Sequence, residues 1–127
     1  MTQEEQKDIE DRDDIIAFVD RFYEKVRADE LLAPVFHSKI AADEWQFHLN
    51  RMYDFWNAMI FYADRYEGNP LAKHMSLEVE QEHFDRWLSL FHATIDELFS
   101  GPVAEGVKER SRQIAAAFIG KMLGNRA

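Results

Sequence analysis

Residues 79–99 have the sequence VEQEHFDRWLSLFHATIDELF, and the spacing of their apolar side chains decides the fold class. Apolar residues recur every three or four positions, which is typical of an amphipathic α-helix that presents one face to a core. The residues on this face are Phe84, Trp87, Leu88, Phe91, Ile95 and Leu98. Gly101 and Pro102 follow, and we expect them to end this helix and to begin the next, because proline suits the first helical position.

Three more segments have the same helical spacing. We expect helices over about 13–28, 43–62 and 102–123, the second of them with Asp43 as its N-cap. Residues 31–36 form a short apolar stretch that Pro34 interrupts, since proline is disfavoured inside a helix. The alternating pattern of a β-strand is absent, so the sequence predicts an all-α fold.

A loop and a short helical piece separate the second long helix from residues 79–99. The loop covers 63–70 and contains the breaker Gly68-Asn69-Pro70. The short piece covers 71–75 and carries His74. With no repeat or linker in the sequence, we expect one domain over residues 1–127, with 1–12 as a flexible or short helical N-terminal extension.

Composition excludes several classes of function. The chain has 127 residues, of which 46% are hydrophobic and 31% charged, as in ordinary globular domains. The absence of cysteine excludes disulfides, thiolate metal sites and iron–sulfur clusters. A net charge of −9 makes nucleic acid and membrane surfaces poor partners. With no apolar span and an acidic N-terminus unlike a signal peptide, we expect a cytoplasmic monomer.

Three polar-tipped side chains lie on the apolar faces of three different helices. They are Tyr23, His48 and Trp87, and each one alone is explained as a core residue whose hydrogen bond is satisfied internally. Together they indicate donors that converge on a polar object, such as water or a bound ligand. His74 stands where it can bind a metal, although taken alone it is more simply explained as a solvated loop residue.

The other histidines offer no metal site of their own. His83 and His92 are nine positions apart, so on one helix they point in nearly opposite directions and cannot share an ion. We interpret both as solvated or partly buried surface residues. Glu80 and His83 have the Glu-x-x-His spacing of di-iron bundles, but those sites need a second copy and further inward glutamates, which this sequence lacks.

Several segments together resemble a known family, the truncated haemoglobins, and in particular their third group. These segments are 22–27 (FYEKVR), 32–36 (LAPVF), 45–48 (WQFH), 55–56 (FW), 70–74 (PLAKH) and 84–91 (FDRWLSLF). The similarity runs from about Phe22 to Phe118. The paired-glycine motifs of the first two groups are missing, as they are in the third.

This resemblance implies a shortened globin fold, in which helices pack two over two around haem b (iron protoporphyrin IX). His74 looks like the proximal ligand of the iron. Tyr23, His48 and Trp87 look like the distal residues that stabilise a bound ligand, and Phe36 like the aromatic ring that packs on the porphyrin.

Further contacts and the function follow from the same resemblance. Met52 and Phe91 are expected to line the haem pocket, and Arg51 to reach a haem propionate, unless it is simply a solvated arginine. The implied function is binding of O₂, and also of NO, CO or peroxide, with oxygen transport as one role. Alternatives are a haem enzyme, such as an NO dioxygenase or a peroxidase served by an external reductase, and a haem-free helical module that binds a protein or an apolar molecule.

Overall fold

The computed structural model describes residues 6–62 and 79–122. Within these residues the chain is helical and contains no strand, so the prediction of an all-α fold is confirmed. The helices are α1 (Arg12–Ala28), α2 (Ala33–His37), α3 (Trp45–Phe61), α4 (Gln81–Leu98) and α5 (Pro102–Met122). None of the described helices combines the length and the apolarity that crossing a membrane requires.

Helix α1 is the centre of the packing. Asp11 caps its N-terminus by accepting a hydrogen bond from the backbone N–H of Asp14, and Lys25 and Arg27 favour its C-terminal end electrostatically. Its buried apolar face consists of Ile15, Phe18, Val19, Phe22, Tyr23 and Val26. This face contacts both α3 and α4, and α4 in turn packs on α5.

The N-terminus of α3 differs from the prediction that Asp43 caps it. Asp43 lies inside a 3-10 turn, Ala42–Glu44, and the α-helix begins at Trp45. Glu44 explains the extra turn, because its carboxylate accepts a hydrogen bond from the backbone N–H of Ala41, 3.0 Å away. That contact satisfies one of the N–H groups at the start of the segment, which Asp43 was expected to do.

Residues that precede α1 pack against the start of α5. Residues 6–11 of the expected N-terminal extension are not helical, and Ile9 is only 2% exposed. The Asp8 carboxylate accepts hydrogen bonds from the backbone N–H groups of Val103 and Ala104, at 2.9 and 2.8 Å. Asp8 therefore caps the N-terminus of α5, although it lies far from that helix in the sequence. Gly101 makes this close approach feasible, since its φ is +144° and a Cβ would collide with the Asp8 carboxylate.

Aromatic rings fill the space between α1, α3 and α4. Phe91 is 1% exposed and stacks against Trp56 and Trp87, with ring centroids 5.2 and 5.3 Å apart. Phe18 approaches Phe91 edge-on at 5.8 Å. Such stacked and edge-to-face pairs stabilise beyond the burial of their area. They fix the position of the inner face of α4.

Candidate functional site

A largely apolar cavity lies where the helices do not close against each other. The space free of protein atoms amounts to about 1000 Å³, including the part that opens to solvent. All five helices contribute apolar side chains: Val19 and Phe22, Val35 and Phe36, Met52, Phe55 and Trp56, Phe84 and Phe91, Ile114 and Phe118. A concave, mostly apolar cavity with a few polar groups is typical of a ligand site.

Tyr23 is the most deeply buried polar group on the wall of this cavity. The residue is 8% exposed, and its hydroxyl makes no hydrogen bond with any residue of the described chain. Burial raises the pKa of Tyr23, so the hydroxyl remains protonated and able to donate. Because leaving a buried hydroxyl without a partner costs free energy, this group points to a ligand that accepts its hydrogen bond.

The structure brings His48 to Tyr23. The His48 ring, which α3 supplies, meets the Tyr23 ring edge-on with centroids 5.1 Å apart. A second edge-on contact, at 5.7 Å, joins His48 to Trp45. These contacts fix the rings of His48 and Tyr23 relative to each other. His48 is not itself among the described residues that line the cavity.

Trp87 lines the cavity from α4. Its ring lies nearly parallel to Phe91 and edge-on to Phe22, which holds the indole in one orientation. Within the part of the chain that the structure describes, no residue accepts a hydrogen bond from the indole N–H. Tyr23 and Trp87 are thus two donors on the wall of the same cavity.

The other predicted pocket residues divide into three cases. Phe36, Met52 and Phe91 line the cavity. Arg51 is exposed and does not line it, and its guanidinium lies 5.7 Å from the exposed ring of Phe47. His74 lies outside the described residues.

One lining residue was missed by the sequence analysis. His83, interpreted there as a solvated or partly buried surface residue, is partly exposed and lines the cavity. Its Nδ1 accepts a hydrogen bond from the backbone N–H of Glu80, 2.9 Å away. The signal was present, since His83 precedes Trp87 by four positions and so shares its helix face.

The chemistry of the described lining suits a flat, apolar ligand more than a hydrated ion. Within residues 6–62 and 79–122, no three His, Asp or Glu side chains come together as metal ligands. The lining offers aromatic surface and three side-chain donors, those of Tyr23, His83 and Trp87.

Comparisons with known proteins agree with this architecture. A family model described as bacterial-like globin matches residues 8–123. The chain is 33% identical over 110 residues to the group 3 truncated hemoglobin of Campylobacter jejuni, covering 84% of this chain and 87% of that protein. The crystal structure of the group III truncated hemoglobin from Campylobacter jejuni superposes with a TM-score of 0.83 at 30% identity, over 92% of this chain and 94% of that one.

A more distant structure has the same fold. It is the cold-adapted truncated hemoglobin from the Antarctic marine bacterium Pseudoalteromonas haloplanktis, with a TM-score of 0.69 and 21% identity. The match covers 87% of this chain and 92% of that one. At this identity the likeness supports the shortened globin fold alone.

Proposed function

The chain belongs to the bacterial-like globin family and is a group III truncated haemoglobin, and on this premise we propose that its cavity binds haem b and, through it, O₂. The observation that carries the proposal is the Tyr23 hydroxyl. It is a buried donor on the wall of an apolar cavity and has no acceptor among the described residues. A ligand with an oxygen that accepts a hydrogen bond would give the Tyr23 hydroxyl its missing partner.

The described residues fit a porphyrin. The lining from α1 to α5 is dominated by aromatic and aliphatic side chains, which match a flat apolar ring. Burying roughly several hundred Å² of such a ring, at about 25 cal/mol per Å², contributes several kcal/mol to binding. Phe36, Met52 and Phe91 form part of this surface and exclude water from it. The charged propionates would face the solvent side of the cavity. Arg51 is exposed but does not line the described cavity, so its contact with a propionate stays a prediction.

When bound, haem would supply an iron that binds a diatomic ligand such as O₂ and that a protein nitrogen would hold in the cavity. His74 is proposed as that nitrogen ligand because of its place in the sequence. Tyr23 and Trp87 line the cavity and would donate hydrogen bonds to that diatomic ligand, and the edge-on contact with His48 orients the Tyr23 ring. These donors need no rearrangement, since packing already fixes them.

The donors favour retention of O₂ over rapid delivery. Each hydrogen bond contributes about 0.5–1.5 kcal/mol, and more when the acceptor is partly charged. Two of them together contribute about 1–3 kcal/mol and should slow the release of O₂ by about fivefold to a hundredfold, at roughly 1.4 kcal/mol per decade. Such retention suits O₂ storage or chemistry on O₂, NO or peroxide with electrons from an external reductase.

Absorption spectra of the purified protein test the proposal. We expect an intense absorption band near the blue edge of the visible range after haemin is added, and a shift of that band when CO is added to the reduced protein. His74→Ala should weaken the complex and remove the spectrum of an imidazole-ligated iron. His37→Ala is the matched control, because His37 is exposed and does not line the cavity. A colourless protein that takes up no haemin would instead support a haem-free helical module.

A further inference from the structure

His83 lines the cavity, and nothing in the proposed binding of O₂ uses it. We propose that His83 is a further binding residue, which donates a hydrogen bond from Nε2 to a carboxylate of the bound porphyrin. The inference rests on the proposed function and adds to it the group that recognises the polar edge of the ligand.

The backbone decides which nitrogen of His83 donates. Nδ1 lies 2.9 Å from the backbone nitrogen of Glu80, whose N–H can only donate. Nδ1 is therefore the acceptor and carries no proton. The proton of the neutral ring is then on Nε2, and no described residue accepts a hydrogen bond from it. The imidazole is held at one nitrogen and offers a donor at the other.

The direction of α4 places this donor at the solvent side of the cavity. His83 is the third residue of the helix and is partly exposed, whereas Phe91, two turns further, is 1% exposed. Trp87 lies between them, and all three line the cavity. A porphyrin has one edge with two carboxylates and is otherwise apolar. Because burying a carboxylate is costly, that edge faces the solvent side, where His83 stands.

The other donors on the wall do not suit a carboxylate. Tyr23 is 8% exposed, so an anion beside it would lose most of its hydration. Glu80 and Glu82 are exposed neighbours of His83 and repel an anion weakly through water. A direct hydrogen bond from Nε2 is therefore the contact that can hold a carboxylate at this edge.

The test uses a substitution that keeps the structural role of His83. His83→Glu retains an acceptor for the Glu80 N–H, because glutamate at the third helical position is the usual partner in a capping box. It removes the donor and places a carboxylate in the cavity. Gln113→Glu is the matched control, with the same change of charge on the exposed face of α5. Far-UV circular dichroism verifies that both variants are folded.

The measurement is the rate at which haemin leaves each protein for an excess of a haem-free acceptor globin. We expect His83→Glu to lose haemin about tenfold faster than the wild type, as for the loss of one hydrogen bond to a charged group. Gln113→Glu should stay within about twofold of the wild type. Metal-free protoporphyrin, followed by quenching of tryptophan fluorescence, should show the same tenfold ratio, because the iron takes no part in this contact.

Haemin dimethyl ester, in which both carboxylates are blocked, separates this contact from a general effect on the fold. We expect the wild type and His83→Glu to release the ester at equal rates. Equal rates with haemin itself, or a tenfold difference that persists with the ester, would overturn the inference. In both cases the wild type still shows the absorption band of bound haemin, so only the role of His83 fails. If the wild type lacks that band, the proposed function itself has failed.

Discussion

Replacing Tyr23 with phenylalanine should change ligand release and folding stability in opposite directions. The substitution removes one hydroxyl and leaves a ring of nearly the same shape at a position that is 92% buried. In the haem-free protein that hydroxyl has no hydrogen-bond partner among the described residues. Its removal therefore takes away a desolvation penalty and no described hydrogen bond.

The magnitudes follow from those two facts. An unpartnered buried polar group costs about 1–3 kcal/mol, so haem-free Tyr23→Phe should be as stable as the wild type or more stable by up to that amount. A hydrogen bond to a partly charged oxygen is worth about 1.5–3 kcal/mol, so O₂ should leave the haem-bound variant about ten to a hundred times faster. Burial raises the pKa of Tyr23, and the effect should therefore be constant through neutral and moderately alkaline pH.

Stopped-flow displacement of O₂ by CO measures the release rate, and urea unfolding of the haem-free protein measures the stability. Tyr53→Phe is the matched control. The Tyr53 hydroxyl donates to Asp20, and burial together with that carboxylate raises the pKa of Tyr53 to about 12, but the residue does not line the cavity. We expect this control to lose about 1 kcal/mol of stability and to release O₂ at the wild-type rate.

Two results would refute the reasoning. An unchanged O₂ release rate in Tyr23→Phe would remove this hydroxyl from the ligand site. A clear loss of stability in the haem-free variant would mean that the hydroxyl has a partner the cavity geometry does not account for. Faster release from both tyrosine variants would indicate a general loosening of α1 and α3 and no specific donor.

Three further predictions concern the scaffold. Gly101→Ala should cost about 1–3 kcal/mol in urea unfolding, because alanine strains a φ of +144° and its Cβ collides with Asp8. Asp8→Ala should cost about 1 kcal/mol at pH 7. Partial burial alone would raise the pKa of Asp8, but the N–H donors of Val103 and Ala104 lower it. The difference in stability between the two proteins should therefore shrink as pH falls below about 4, which acid titration of both checks. Phe91→Ala should cost about 3–5 kcal/mol, measured by urea unfolding, and should also speed haemin loss, because the ring is fully buried and lines the cavity.

The helices were predictable because each one buries a continuous apolar face. The fourth helix was expected over 79–99 and is observed as Gln81–Leu98, and the first was expected over 13–28 and is observed as Arg12–Ala28. The residues at which the helices begin and end depend on local hydrogen bonds, which the spacing of apolar residues does not predict. At α3 the Glu44 contact with Ala41 adds a 3-10 turn, so the predicted cap at Asp43 was wrong.

Side-chain roles at the site were harder to predict than the helices. Tyr23 and Trp87 were expected to face inward and both line the cavity, because a residue on an apolar stripe must point to the core. His83 was missed, since a polar residue in the first turn of a helix is usually solvated. Its spacing of four from Trp87 placed it on the same helix face, but only the packing of the neighbouring helices shows that this turn borders a cavity. Arg51 could not be placed by spacing either, because an arginine side chain is long enough to turn toward Phe47.

The core of this chain has a closed part and an open part, which explains how stability and ligand binding can be separated. Around Phe18 the packing is complete, with Trp56, Phe91 and Phe99 meeting its ring edge-on at 6.0, 5.8 and 6.5 Å. Further along α1, Tyr23 faces free space. The closed part can hold the helices together without a ligand, and the open part gains its missing contacts when the cavity is filled. Substitutions of Phe18 should therefore mainly change folding, and those of Tyr23 should mainly change what is bound and how long it stays. Phe91 contacts Phe18 and also lines the cavity, so its substitution should change both.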